Sequence, residues 1–175
     1  MKIRGTYLDR RVKLLDLGSG LGGVCLMAAL LGGCEATGIE IQPEFHEGAQ
    51  QWHKNVATHD RLLACMLNKQ SEESLFCGDM LSVQYRRLYA EADIIFCNNL
   101  LFDRADNDST ILNGHLAIKL RDWATNPNVI IVTSAAVCGS QGGLGLQQVK
   151  TIQLPDRSVS WSPRGIQLHM TCRSD

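Results

Sequence analysis

Val12-Lys13-Leu14-Leu15-Asp16-Leu17-Gly18-Ser19-Gly20-Leu21-Gly22 decides how the rest of this sequence reads. Val12 to Leu17 is a short, largely apolar run of the kind that fills a buried strand, and it breaks into Gly18-Ser19-Gly20. Gly22 to Leu31 is apolar on all sides and stops at Gly32-Gly33, which predicts a buried helix with a glycine C-cap. Strand, glycine turn and helix in that order open a nucleotide-type α/β fold, because glycine lets the backbone turn sharply and approach a ligand closely.

The pattern continues outward. Ala36 to Glu40 predicts a second strand, and Pro43 suits a first helical position. Phe45, Ala49, Trp52, Val56, His59, Leu63 and Met66 then recur at alternating steps of four and three, the face of one long amphipathic helix. Leu75 to Cys77 and Asp93 to Cys97 predict the third and fourth strands. Ser109 to Leu120 predicts a helix with Asp108 or Ser109 as N-cap, and Val129 to Thr133 a β-branched fifth strand. Gln147 to Leu154 and Ile166 to Thr171 have no helical segment between them and should pair as an antiparallel hairpin. Strands alternating with helices predict an α/β, doubly wound, mostly parallel sheet. The closing hairpin distinguishes a Rossmann-like class I methyltransferase sheet from a plain dinucleotide-binding one.

The chain has 175 residues, which suits a single domain over 1–175. Hydrophobic residues make up 45% and charged residues 20%, enough apolar material for a core without disulfides or a structural metal. With 17 basic and 18 acidic side chains the net charge is -1, which excludes the strongly basic footprint of an autonomous nucleic-acid binder. The seven cysteines form no Cys-x-x-Cys pair and no metal-ligand spacing, so no zinc site and a reducing compartment are expected. No run of about 20 apolar residues is present, so no membrane span is expected. Met1 to Arg11 is polar and basic and lacks the apolar segment of a signal peptide. No internal repeat or low-complexity tract interrupts the chain.

Four places carry candidate chemistry. Asp16 stands at the first strand end, where an acid suits a cationic ligand better than a pyrophosphate. S-adenosyl-L-methionine, with its ammonium and sulfonium, fits that requirement; Asp16 would hold the amino-acid end. Glu40 ends the second strand, where a carboxylate can accept hydrogen bonds from both ribose hydroxyls. Gly78-Asp79-Met80 follows the third strand, with Asp79 placed for the adenine amino hydrogen and Met80 for the ring face. Phe96-Cys97-Asn98-Asn99-Leu100-Leu101-Phe102 closes the fourth strand at a mouth position, where an asparagine can turn its carbonyl toward an incoming amine. Methyl transfer to nitrogen needs an aligned, neutral lone pair rather than a strong base. Taken singly, these residues also read as a tight strand–helix turn, a solvated strand-end acid, an ordinary Gly-Asp turn and a pair of turn asparagines. The five histidines show no ligand pattern; His53 and His59 on the long helix read as surface or interfacial.

In order along the chain stand Asp16-Leu17-Gly18-Ser19-Gly20-Leu21-Gly22, Gly38-Ile39-Glu40, Gly78-Asp79-Met80-Leu81, Ile94-Ile95-Phe96-Cys97-Asn98-Asn99, Val159-Ser160-Trp161 and Leu168-His169. Together they resemble the disruptor of telomeric silencing family, the non-SET lysine methyltransferases that modify the globular core of histone H3. The glycine motif is shared by many methyltransferases; the Asn-Asn strand end with the late Val-Ser-Trp is far narrower. The resemblance runs from about Leu14 to His169. It implies a cofactor site lined by Asp16, Gly18, Gly20, Gly22, Glu40, Asp79, Met80 and Asn98. It also implies a narrow lysine channel lined by Asn98, Thr133 and Trp161, a nucleosomal substrate, a nuclear location and no metal. Nucleic acid would be met only through the nucleosome.

Three departures stand out. Where the family carries a tyrosine pair before Leu-His, this chain has Ile166 and Gln167, and the segment is one residue shorter. Gly23 stands where the family has a glutamine. Only 15 residues precede Asp16, so the family's N-terminal lobe is expected to be absent. Two alternatives stay open on these grounds: a methyltransferase of the same fold with a different protein or small-molecule substrate, and a catalytically silent cofactor-fold binding domain.

Overall fold

Strand β1 (Lys13–Leu17) is buried along nearly its whole length, as expected of a parallel strand covered on both faces. We describe it from a computed structural model, in which residues 11–59, 74–103, 109–137, 145–156 and 165–174 are placed. The chain divides into two compact units, Met1–Met80 and Leu81–Asp175.

In the first unit, β1 is followed by α1 (Gly23–Gly32), β2 (Glu35–Glu40), α2 (Pro43–His59) and β3 (Leu75–Cys77). β2 pairs in parallel with β1 through Lys13↔Glu35 to Leu17↔Ile39, and with β3 through Gly38↔Leu75 to Glu40↔Cys77. Leu15, Leu17, Ala36 and Ile39 of the strands pack with Cys25, Leu26 and Ala29 of α1 and Ala49 of α2 as buried core. Gly33, at φ 60, ends α1: its N–H and that of Cys34 return to the carbonyls of Ala29 and Ala28, both at 3.2 Å. The all-round apolar sequence of α1 predicts a buried helix, and the structure corrects this for its outer face. Val24 is 37% and Met27 51% exposed, because the inward residues face the sheet and no described residue covers the outer face. The long amphipathic helix is described to His59; Leu63 and Met66 lie outside the described residues.

In the second unit, a 3-10 turn (Val83–Tyr85) leads into α3 (Arg86–Glu91), then β4 (Ile94–Cys97), α4 (Ser109–Trp123), β5 (Ile130–Thr133), β6 (Leu146–Gln153) and β7 (Gln167–Arg173). β4 and β5 are parallel, while β7 runs antiparallel to both β5 and β6, giving the order β4-β5-β7-β6. The expected antiparallel hairpin is present, with a register irregularity between Gln148 and Lys150. Tyr89, Ile95, Leu116, Leu120 and Ile131 are fully buried, and Tyr89 meets Trp123 edge-on at 5.3 Å between ring centroids. Arg173 Nη1 donates to the carbonyls of Arg121 and Ala124, both at 2.8 Å, so a cation closes the C-terminus of α4. α4 begins at Ser109 and runs three residues past the predicted Leu120; Asp108 lies outside the described residues. The sequence does not signal α3, which is six residues long and too short to show a period, yet it buries Tyr89.

Candidate functional site

The glycine turn is shaped by its backbone. Gly18, Gly20 and Gly22 have φ of 74, 53 and 73°, a region that side-chain-bearing residues rarely adopt. The N–H groups of Gly18 and Ser19 both donate to Ile39 O, at 2.9 and 3.0 Å, which fastens the turn to β2. Gly38 of β2 is needed for a different reason: a Cβ there would stand 2.7 Å from Ser19 Oγ and 3.0 Å from a methyl of Leu75. From α2, His53 approaches the turn with Nε2 3.4 Å from Gly22 O. Burial lowers the pKa of this imidazole and the Gly22 carbonyl opposes that shift. His53 is thus interfacial, as its place on the helix suggests.

Glu40 organises three loops of the first unit. Its Oε2 accepts the N–H of Gly20 at 2.7 Å, its Oε1 accepts the N–H of Gln42 at 2.9 Å, and its backbone carbonyl accepts the N–H of Gly78 at 2.8 Å. The carboxylate is buried rather than solvated. Each carboxylate oxygen has two lone pairs, so each keeps acceptor capacity for a further donor.

Asp16, on β1, is 2% exposed. Its Oδ2 accepts the Cys25 S–H at 3.8 Å, and no ion pair reaches it among the described residues. Burial raises the carboxyl from 3.8 to about 7 and the neighbouring Glu40 charge adds to the rise, while the Cys25 thiol works against it. The Cys25 thiol is itself pushed up by burial and by Asp16. A buried acid with no positive partner is costly, and a cationic ligand would relieve that cost. Asp79 is exposed at the end of the β3 loop and Met80 beside it is buried. Among the described residues no His, Cys, Asp or Glu cluster could hold a metal ion.

In the second unit, Asn98 is half-buried and Asn99 is 0% exposed. The Asn98 carbonyl oxygen accepts the Ser134 hydroxyl at 2.7 Å. Asn99 bonds both backbone groups of Ala135, accepting its N–H at 2.7 Å and donating to its carbonyl at 3.0 Å, and also donates to Asn113 Oδ1 at 2.8 Å. Thr133 is buried, and its hydroxyl has no hydrogen-bond partner among the described residues; the same holds for Thr171. Trp161 lies outside the described residues. Sequence reasoning quoted Asn99 only as part of the strand-end motif, without a role, and missed Asn113 and Ser134. The only available signal was two adjacent asparagines closing an apolar strand, and geometry alone decides which of them turns inward.

Among solved structures, the chain resembles an RNA methyltransferase from Salinibacter ruber in complex with S-adenosyl-L-homocysteine, with TM-score 0.62 and 18% identity over 94% of this chain and 82% of that one. It also resembles magnesium protoporphyrin IX methyltransferase from Synechocystis with bound S-adenosylmethionine, with TM-score 0.61 and 14% identity over 94% and 71%. These likenesses show the fold, that of a class I S-adenosylmethionine-dependent methyltransferase. Two curated relatives are named histone-lysine N-methyltransferase, H3 lysine-79 specific. The one from Yarrowia lipolytica is 23% identical over 91% of this chain and 32% of its own length. The one from Aspergillus fumigatus is 27% identical over 86% and 30%. The chain thus spans about a third of the length of these relatives. The sequence model of the histone methylation protein DOT1 family matches residues 3–173, nearly the whole chain and all the motifs above, and the chain belongs to that family.

Proposed function

We propose that this chain is an S-adenosylmethionine-dependent lysine N-methyltransferase that acts on the core of histone H3 in the nucleosome, in the nucleus. Asp16 carries the cofactor half of the reading: it is a buried acid without a cation among the described residues, at the strand end that leads into the glycine turn. The ammonium of S-adenosylmethionine supplies the missing positive charge, and the ribose hydroxyls match the unused lone pairs of Glu40. The residues present therefore fit the cofactor. Family membership and the names of the two curated relatives support the substrate half.

In this proposal Asp16 accepts the ammonium, Glu40 the ribose hydroxyls and Asp79 the adenine amino hydrogen, while Met80 packs on the ring. Gly18, Gly20 and Gly22 keep side chains off the turn, and Asn98 borders the cofactor. When bound, the cofactor supplies a methyl group already activated on a positively charged sulfur. The protein then has to admit a neutral amine, orient its lone pair and exclude water. Asn98, Thr133 and Trp161 are assigned to that task. The buried Thr133 hydroxyl, without a partner among the described residues, supports its part in it, being able to accept an amine N–H. We also read residues 1–175 as one domain, which a single cooperative unfolding transition would bear out.

The test is transfer of a tritiated methyl group from S-adenosylmethionine to recombinant nucleosomes. Label on H3 that disappears with Glu40→Ala supports the proposal. Label confined to another protein or to a small-molecule acceptor would replace the substrate while keeping the chemistry. No transfer to any acceptor would contradict both.

A further inference from the structure

The β4 and β5 ends of the second unit are joined by polar side chains that, Asn98 apart, none of the roles above uses. The carboxamide of Asn99 lies along the backbone of Ala135 as a neighbouring strand would, one bond accepted and one donated, and its second amino hydrogen goes to Asn113 on α4. Reversing the carboxamide would set its NH2 against the Ala135 N–H and its oxygen against the Ala135 carbonyl, so the surroundings fix its orientation. Ser134 completes the connection. Its Oγ accepts the Leu100 N–H at 2.9 Å and donates its single hydrogen to Asn98 Oδ1 at 2.7 Å; Asn99 Oδ1, at 3.4 Å, is the poorer acceptor. The backbone adds Ser134 N–H to Cys97 O at 3.2 Å.

Asn98 is therefore not a freely rotating mouth residue. Its oxygen is held by a hydroxyl that is itself held by the Leu100 N–H, and that arrangement is held by an asparagine with no exposure to solvent. A held Asn98 presents its remaining oxygen lone pair and its NH2 hydrogens in one direction. An unheld one would lose that alignment to rotamer freedom.

We propose that Ser134 and Asn99 are positioning residues: Ser134 fixes the carboxamide of Asn98 in the orientation used toward cofactor and amine, and Asn99 fixes the loop that carries Ser134. The inference rests on the reading of Asn98 under the proposed function, but the contact itself can be tested without any activity.

Ser134→Ala removes the hydroxyl with little change in volume, and Ser134→Thr restores it. In the 15N-labelled full chain, the Asn99 side-chain NH2 should exchange with solvent far more slowly than that of an exposed asparagine. Ser134→Ala should move the Asn98 side-chain NH2 resonances, and Ser134→Thr should return them toward wild type. In the nucleosome assay, Ser134→Ala should keep the S-adenosylmethionine Kd within about threefold and lower kcat about tenfold, the effect of one orienting hydrogen bond, with recovery in Ser134→Thr. Unmoved Asn98 resonances in Ser134→Ala would overturn the contact. Moved resonances with unchanged kcat in an active chain would overturn the positioning role. Moved resonances in a wild-type chain that transfers no methyl group would overturn the proposed function and leave the contact intact.

Discussion

Replacing Asp16 by asparagine should make the cofactor-free chain more stable, and by an amount that depends on pH. The carboxyl sits at about 7 in the folded chain against 3.8 for the ordinary group. A carboxyl whose folded value is raised binds its proton more tightly in the folded state. Its contribution is fully present below pH 4 and is lost as pH rises from 4 through 7. The gap of about 3 units corresponds to roughly 4 kcal/mol above pH 7, and integrating to pH 5 leaves roughly 1.5 kcal/mol. Asparagine keeps the shape and an acceptor for the Cys25 thiol but never ionises. The stability advantage of Asp16→Asn over wild type should therefore grow by about 2.5 kcal/mol between pH 5 and pH 8. Urea unfolding of both proteins at the two pH values reads this directly, as a shift in midpoint at constant m. S-adenosylmethionine should stabilise the wild type and leave Asp16→Asn unchanged. An advantage that does not vary with pH, or an asparagine variant less stable than wild type at pH 8, would refute the reasoning.

Other outcomes follow from the same structure. Because a cationic ligand needs Asp16 ionised, S-adenosylmethionine affinity should rise about tenfold per pH unit up to pH 7 and level off above it, with a proton released on binding below pH 7; calorimetry in buffers of different ionisation enthalpy checks both. Gly38→Ala sets a methyl against Ser19 and Leu75. It should cost about 1–3 kcal/mol in urea unfolding and weaken cofactor binding by moving the glycine turn. Asn99→Leu removes the bonds that Asn99 makes to the Ala135 N–H and carbonyl, and its bond to Asn113 Oδ1. The expected destabilisation is about 2–4 kcal/mol, read the same way. Thr133→Val removes a buried hydroxyl that has no partner among the described residues. It should stabilise the cofactor-free chain by about 1 kcal/mol while lowering methyl transfer, which a thermal-unfolding and activity pair measures.

The glycine turn was legible because three requirements fall within the eleven residues Val12 to Gly22: an apolar strand, glycines where the backbone turns to positive φ, and an acid at the strand end. Glu40 was legible from its position but not from its bonds. That its two oxygens already hold the Gly20 and Gln42 N–H groups is a matter of how two loops fold together. The closing hairpin was legible because nothing between its strands could form a helix. α3 was not, since six residues cannot display a 3.6-residue period. The exposed outer face of α1 was misread because composition reports how apolar a helix is, not what lies against it. Asn98 and Asn99 are chemically identical in the sequence. One is half-buried and bonded to Ser134, the other fully buried and bonded to Ala135, and strand pleat with loop geometry makes that choice.

Direct binding of S-adenosylmethionine to the chain, measured by titration calorimetry for wild type, Asp16→Ala and Glu40→Ala, tests the central claim most plainly. The account predicts one-to-one binding to the wild type and its loss, by a hundredfold or so, in each variant while both remain folded. A folded wild-type chain that binds no cofactor, or variants that bind as tightly as wild type, would contradict the assignment of Asp16 and Glu40 as the cofactor-holding acids.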